Sequence, residues 1–273
     1  MLFINNKGIN MKYYVVDAFT DELFKGNPAG VCILEKWLDD NLLQNIAFEN
    51  NLAETAFVVK NNSQYDLRWF TPETEIDLCG HATLASAFVI INFIDRNNKY
   101  LSFNTKSGIL TVNYNNENEL YEMDFPSRKP IKTEINQIIQ KAINIQIKET
   151  YLARDLLILI EKEKQVKELE INFELLKSYK DCFAFIITAQ SSSNEYDFVS
   201  RFFAPNAGIM EDPVTGSSHS TLIPFWAERL GKNILIAKQL SERGGTLYCE
   251  NNGDRVKISG KAKLYLQGNI EIK

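Results

Sequence analysis

Phe70-Thr71-Pro72-Glu73, followed after a short gap by Cys79-Gly80-His81-Ala82-Thr83-Leu84, is echoed about half a chain later. There Phe203-Ala204-Pro205-Asn206 leads to Thr215-Gly216-Ser217-Ser218. In both places an aromatic strand, a proline turn and a glycine that opens a helix come in the same order. Agreement in element order as well as in letters reads as a duplicated unit, with no low-complexity tract or short solenoid period beside it. The expected fold is α+β, with two pseudo-symmetric lobes that deliver their glycine-led helix starts to a shared cleft.

The pattern around the first copy supports this. Tyr13 to Phe19 is β-branched and aromatic, Lys25-Gly26-Asn27-Pro28 is a turn, and Ala29 to Leu34 is the strand after it. Leu38, Leu42, Leu43 and Ile46 recur at helical spacing. Strands follow at 57–59 and 67–70, then an apolar helix from Gly80 to about Asp95, then strands at 109–114 and 120–125. Residues 126–130, with two prolines and two positive charges, mark the boundary between an N-terminal lobe, 11–125, and a C-terminal lobe, 126–261. The second lobe is predicted to hold helices near 134–146 and 165–179, and strands at 156–160, 182–188 and 198–204. A helix opened by Gly216 follows, and from Gly245 onward an antiparallel meander. The first strand is predicted after Met11, which makes residues 1–10 a disordered extension.

Bulk properties narrow the function classes. The 273 residues are 45% hydrophobic and 24% charged, the profile of a globular protein with a sizeable core. A net charge of −5 offers no basic field, so nucleic acid is not the expected partner. No segment reads as a membrane span, and the first ten residues do not read as a signal peptide. Cys32, Cys79, Cys182 and Cys249 form no CxxC pair, which fits reduced thiols in the cytoplasm. No GxGxxG follows a predicted strand and no phosphate-binding loop motif occurs, so no nucleotide cofactor is expected. His81 and His219, the two histidines, lack the spaced carboxylates of a metal site, so none is expected.

The chemistry-bearing candidates cluster around the echo. A helix start offers unspent N–H groups and the positive end of the dipole, a place for a carboxylate or a forming enolate. Gly80 and Gly216 would let a ligand approach the backbone closely, and each could equally do no more than start a buried helix. Glu54 sits in an otherwise apolar run, 52–59. Desolvated there it would suit general acid/base work, and at a strand edge it would be inert. Asp212 is either a second acid/base or a helix cap. His81 is either a proton carrier or structural, and Cys79 either a reactive thiol or a small buried residue.

Six segments taken together resemble the PhzF-like, phenazine-biosynthesis-type isomerases. They are Asp17-Ala18-Phe19-Thr20, Gly26-Asn27-Pro28-Ala29, Asn51-Leu52-Ala53-Glu54-Thr55, Arg68-Trp69-Phe70-Thr71-Pro72, Asp77-Leu78-Cys79-Gly80-His81-Ala82-Thr83 and Asp212-Pro213-Val214-Thr215-Gly216-Ser217. They stand in that family's order and span the chain from about Met11 to its end. The resemblance implies the diaminopimelate epimerase-like fold, in which each lobe is a curved mixed sheet around a central helix. It implies that the last strand, about 262–273, completes the first lobe, and that the protein is a homodimer.

By the same resemblance Glu54 is the main proton carrier, with His81, Asp212 and Ser217 assisting. Asn27, Gly80, Thr215, Gly216, Ser217 and Ser218 are the candidates for holding the substrate. The related epimerases use two opposed cysteines, whereas this chain has Cys79 at one position and Thr215 at the other. That departure disfavours a two-thiol racemisation and favours a Glu54-driven proton shift on a small carboxylate without a cofactor. The alternatives are a non-catalytic small-molecule binder and, further off, a Cys79–His81 thiol hydrolase.

Overall fold

The computed structural model describes residues 8–272. The chain divides into two compact units. The first comprises residues up to Phe24, Pro28–Tyr121 and the chain from Ala262 onward; the second comprises Lys25–Asn27 and Glu122–Lys261.

The first unit opens with β1 (Ile9–Ala18), β2 (Asn27–Leu34), α1 (Asp40–Asn50), β3 (Glu54–Asn61) and β4 (Gln64–Phe70). It continues through β5 (Glu75–Ile76), α2 (Gly80–Val89), β6 (Tyr100–Thr105) and β7 (Gly108–Asn115). Ile9 and Asn10 are already strand, so β1 starts earlier than the sequence pattern suggested; residues 1–7 of the expected extension lie outside the described residues. The α1 helix forms as its apolar spacing predicts. Asp39 caps it by accepting from the Asn41 N–H, and Asn51 ends it at φ 48°. Every residue of α2 from Gly80 to Ala87 is buried, and its polar Thr83 and Ser86 spend their hydroxyls on the Cys79 and Ala82 carbonyls four residues back. The helix was expected to run to Asp95. Instead the α-helix ends at Val89 and a widened π turn, Ile90–Ile94, closes it with Asp95 N–H donating to the Ile90 carbonyl.

The second unit contains β8 (Leu120–Pro126) from Glu122 onward, β9 (Ile131–Thr133), α3 (Gln137–Ala142), β10 (Glu149–Leu152) and β11 (Leu156–Leu159). Then come α4 (Glu163–Lys167), α5 (Phe173–Ser178), β12 (Phe185–Gln190), β13 (Phe198–Ala204) and β14 (Ile209–Asp212). α6 (His219–Leu230), β15 (Ile234–Gln239), β16 (Gly245–Asn252) and β17 (Arg255–Gly260) complete it. The single helix expected at 165–179 is two short ones. Asn172 interrupts it, giving its N–H to the Ala142 carbonyl while its side chain accepts from Leu175 N–H and caps α5. The last strand, β18 (Ala262–Ile272), pairs antiparallel with β1 along its length and belongs to the first unit.

The echo in the letters is an echo in the wiring. In the first unit β2 runs parallel to β3, β3 antiparallel to β4, β4 parallel to β6, and β6 antiparallel to β7. In the second, β11 runs parallel to β12, β12 antiparallel to β13, β13 parallel to β15, and β15 antiparallel to β16. A short strand, β5 or β14, then a buried helix, α2 or α6, occupies the same place in each. The parallel steps are covered by helices and their strands are apolar on both faces: all four residues of β11 and the first six of β3 are buried.

The two helix starts differ, however. Gly80 opens α2, whereas Gly216 lies in a turn and α6 begins at His219, whose N–H bonds the Gly216 carbonyl. α6 also carries Pro224 in its middle. A proline has no N–H for the carbonyl four residues back, and here that carbonyl, of Ser220, accepts instead from Arg128 N–H at 2.8 Å. No helix among the described residues is long and apolar enough to cross a membrane.

Candidate active site

Glu54 is the first residue of β3 and His81 the second of α2, so strand and helix together fix their separation. His81 Nε2 lies 3.0 Å from Glu54 Oε2, with the two residues 5% and 8% exposed. The approach is an ion pair off the line of an ideal hydrogen bond. On the other side of the ring, Nδ1 is 3.5 Å from Cys79 Sγ. Burial of the imidazole opposes its protonation, but the adjacent Cys79 and Glu54 outweigh it and raise the His81 pKa well above 6.5. Burial, reinforced by the Glu54 charge, also raises the Cys79 pKa. Cys79 and Glu54 therefore flank an imidazole that holds its proton against burial, the Cys79 sulfur being the larger influence and the Glu54 carboxylate the next.

Glu54, Cys79 and His81 are the one group of acid, thiol and imidazole among the described residues with ligand atoms within 4.8 Å of each other. They do not form a chelate. His81 turns one nitrogen to Glu54 and the other to Cys79, so the three are strung through the ring rather than aimed at one point. Cys79 gives α2 no side-chain oxygen cap, and the Ala82 N–H faces the Cys79 sulfur beside the pair.

Asn27, Asp212, Thr215, Gly216, Ser217 and Ser218 are placed in the second unit. Asn27 is fully buried and donates its amide to Asp212 Oδ1 at 2.7 Å and to the Val214 carbonyl at 2.9 Å. The second Asp212 oxygen accepts from the Thr215 hydroxyl. Ser218 Oγ is spent on the Thr215 carbonyl at 2.8 Å. Ser217 remains partly exposed and receives Arg154 Nη2 at 3.3 Å. Asn27, Thr215 and Ser218 thus shape Asp212 and the turn before α6, while Gly216 is buried and Ser217 keeps part of its surface exposed.

Gln239 went unread in the sequence and is the keystone of this turn. It is fully buried, accepts from Thr215 N–H at 2.9 Å, and donates to the Asp212 carbonyl at 2.7 Å and to Thr215 Oγ1 at 3.3 Å. The signal was present: Leu235, Ala237 and Gln239 alternate onto the buried face of β15, and a polar residue on that face needs a partner. His219, also fully buried, turns Nδ1 to the Thr215 carbonyl at 2.8 Å. Its Nε2 has no partner among the described residues, and burial lowers its pKa to about 4, so it is neutral at pH 7.

Residues 16–268 match the family described as phenazine biosynthesis-like protein, PhzC-PhzF. An uncharacterised isomerase of Pseudomonas aeruginosa is 47% identical, over 97% of this chain and 100% of its own. The crystal structure of a PhzF-family phenazine biosynthesis protein from Enterococcus faecalis superposes with TM-score 0.93 at 48% identity, covering 96% of this chain and 99% of that one. A hydroxyproline epimerase from Agrobacterium vitis shares the fold alone, with TM-score 0.62 at 9% identity and coverage of 96% and 92%.

Proposed function

The chain belongs to the PhzC-PhzF phenazine biosynthesis-like family and is an isomerase, and from that premise we propose that it moves a proton within a small carboxylate-bearing metabolite, without a cofactor, using Glu54 as base and acid. The observation that carries the proposal is the buried Glu54–His81 pair.

Glu54 as carboxylate takes a proton from a carbon activated by the substrate's own carboxylate or double bond. The electron pair of the broken C–H bond delocalises into an enolate or dienolate, and Glu54 becomes a neutral acid. The imidazolium of His81, deprived of its counter-charge at that moment, stands beside the new anion and stabilises it, together with the first-turn N–H groups of α2. Glu54 then returns the proton to a different carbon, shifting the double bond, or to the same carbon from a reoriented face. No atoms are gained or lost. Asp212 is proposed as the second carboxylate, with Ser217 and the Gly216 backbone as substrate contacts. We extend the reading to a homodimer working in the cytoplasm, where the four unpaired thiols would stay reduced.

The test is incubation with a panel of unsaturated and α-stereogenic carboxylates in heavy water. Solvent deuterium should appear in recovered substrate or product with the wild type. In Glu54→Gln it should fall by at least roughly a hundredfold, the lower range for loss of a general acid/base. A Glu54→Gln protein that exchanges at the wild-type rate would sink the assignment.

A further inference from the structure

We propose that Arg128 and Arg154, with Ser217 beside them, form a binding site in the second unit for an oxyanion: a carboxylate or phosphate group of a small-molecule ligand. Arg128 carries a charge that has no partner among the described residues. Arg128 follows β8, and its backbone is pinned to α6 through the Ser220 carbonyl that Pro224 leaves open. Its guanidinium is only partly exposed, yet its side chain donates no hydrogen bond and forms no ion pair among the described residues, and Nη1 is buried without an acceptor. The next residue, Lys129, by contrast, is paired with Glu228 at 2.8 Å.

Arg154 supplies the second guanidinium. It grips the fully buried Asp155 through two bonds of 2.8 and 2.7 Å, lies 4.9 Å from the centre of the Phe183 ring, and reaches Ser217 Oγ with Nη2. Both Asp155 oxygens are thus taken by Arg154, which leaves none paired with Arg128. Burial first, and then the like charge of Arg154, push the Arg128 pKa down, against the weaker pull of Asp155. A buried donor without an acceptor is costly, and guanidinium forks match planar or tetrahedral oxyanions. An anion set against Arg128 would remove the repulsion and satisfy the orphan donor together.

This site does not depend on Glu54 moving protons, so the two readings fail separately. The experiment uses the intact protein, with thermal unfolding and calorimetric titration in sodium phosphate, sodium malonate and sodium chloride at matched ionic strength. Phosphate, malonate or both should raise Tm above the chloride value, and which of them does so distinguishes phosphate from carboxylate recognition. Arg128→Leu should be at least as stable as wild type in chloride and should lose the rise. Arg128→Lys should bind the same anion about tenfold more weakly, the loss expected when one charge-assisted fork is replaced by a point charge. Glu54→Gln should respond as the wild type does. Absence of any oxyanion response in the wild type would overturn the proposal. So would an undiminished response in Arg128→Leu or Arg128→Lys, or an Arg128→Leu protein destabilised or unfolded in chloride.

Discussion

Glu54 Oε2 and His81 Nε2 stand 3.0 Å apart, delivered by the first residue of β3 and the second residue of α2. The charge of His81 depends on its neighbours, Cys79 first and Glu54 after it, because burial alone would drive the imidazole toward neutrality. With only two histidines in the chain, histidine NMR can follow this directly. In the wild type His81 should titrate well above 6.5 and His219 near 4. In Glu54→Gln the higher transition should move below the wild-type value while the His219 transition stays in place. An unmoved His81 transition would show that Glu54 does not hold the imidazolium.

Cys79 bears on whether a thiol does chemistry here. Its pKa is raised by burial and by the Glu54 charge, so at neutral pH it is a buried thiol rather than a thiolate. Alkylation of the native protein with iodoacetamide should modify the partly exposed Cys182 first and Cys79 only slowly, as peptide mass mapping would show. Cys79→Ala should retain most of the proton-exchange activity. Rapid labelling of Cys79 with matching loss of activity would instead favour the thiol mechanism.

The duplicated order of strand, turn and helix was legible because both copies keep a glycine beside a polar residue at the end of a strand–proline turn. The apolar run around Glu54 pointed to a desolvated carboxylate as one of two readings, and its burial at the head of β3 agrees with that one. Its role as proton carrier came only from the family resemblance. What the letters hid is the set of contacts made across long sequence separation. Gln239 reaches Asp212 and Thr215 from β15, more than twenty residues away, and Arg128 meets α6 only because Pro224 frees a carbonyl. The break in the helix expected at 165–179 was hidden for the same reason, since Asn172 is held by the distant Ala142. The position of α6 was misread because Gly216 was matched to Gly80 by letter, while the turn 216–218 delays the helix to His219.

Gln239 gives a prediction about positioning. Replacing it with Leu keeps its size but strands Thr215 N–H and the Asp212 carbonyl without partners. An unfolding cost of about 2–4 kcal/mol is expected from two buried groups left unsatisfied, read from the urea midpoint. Exchange activity should fall through kcat more than KM, because Asp212 loses its setting while the substrate contacts survive. A variant as stable as wild type would remove Gln239 from this role.

Gly30 tests how tightly β2 and β3 are held beside Glu54. A Cβ there would come within 3.1 Å of Thr55 Oγ1 and of the Tyr13 ring, and Thr55 is the β3 residue paired with Gly30. Gly30→Ala should cost about 1–3 kcal/mol, the usual range for overpacking a filled core. Shifting Thr55 should also disturb its neighbour Glu54, so exchange activity should drop in the variant even at temperatures where it remains folded. Unchanged stability and unchanged activity together would show that the strand pair yields freely.

His219 sets an acid limit on the fold. Its folded pKa, about 4, lies below the ordinary 6.5, so the unfolded chain binds a proton that the native state refuses. For a group whose folded pKa is depressed, the stabilising contribution is complete above about 6.5 and is lost as the pH falls toward 4. The physical cause is visible: Nδ1 is committed to the Thr215 carbonyl, and a proton on Nε2 would be buried with no acceptor. The loss amounts to about 3 kcal/mol at most, at 1.36 kcal/mol per pKa unit. Urea midpoints measured from pH 7 to pH 4 should therefore fall for the wild type. In His219→Gln, which keeps an amide donor for Thr215, the fall over the same window should be shallower even if the variant starts from a lower stability. Parallel curves for the two proteins would mean that the acid sensitivity arises elsewhere.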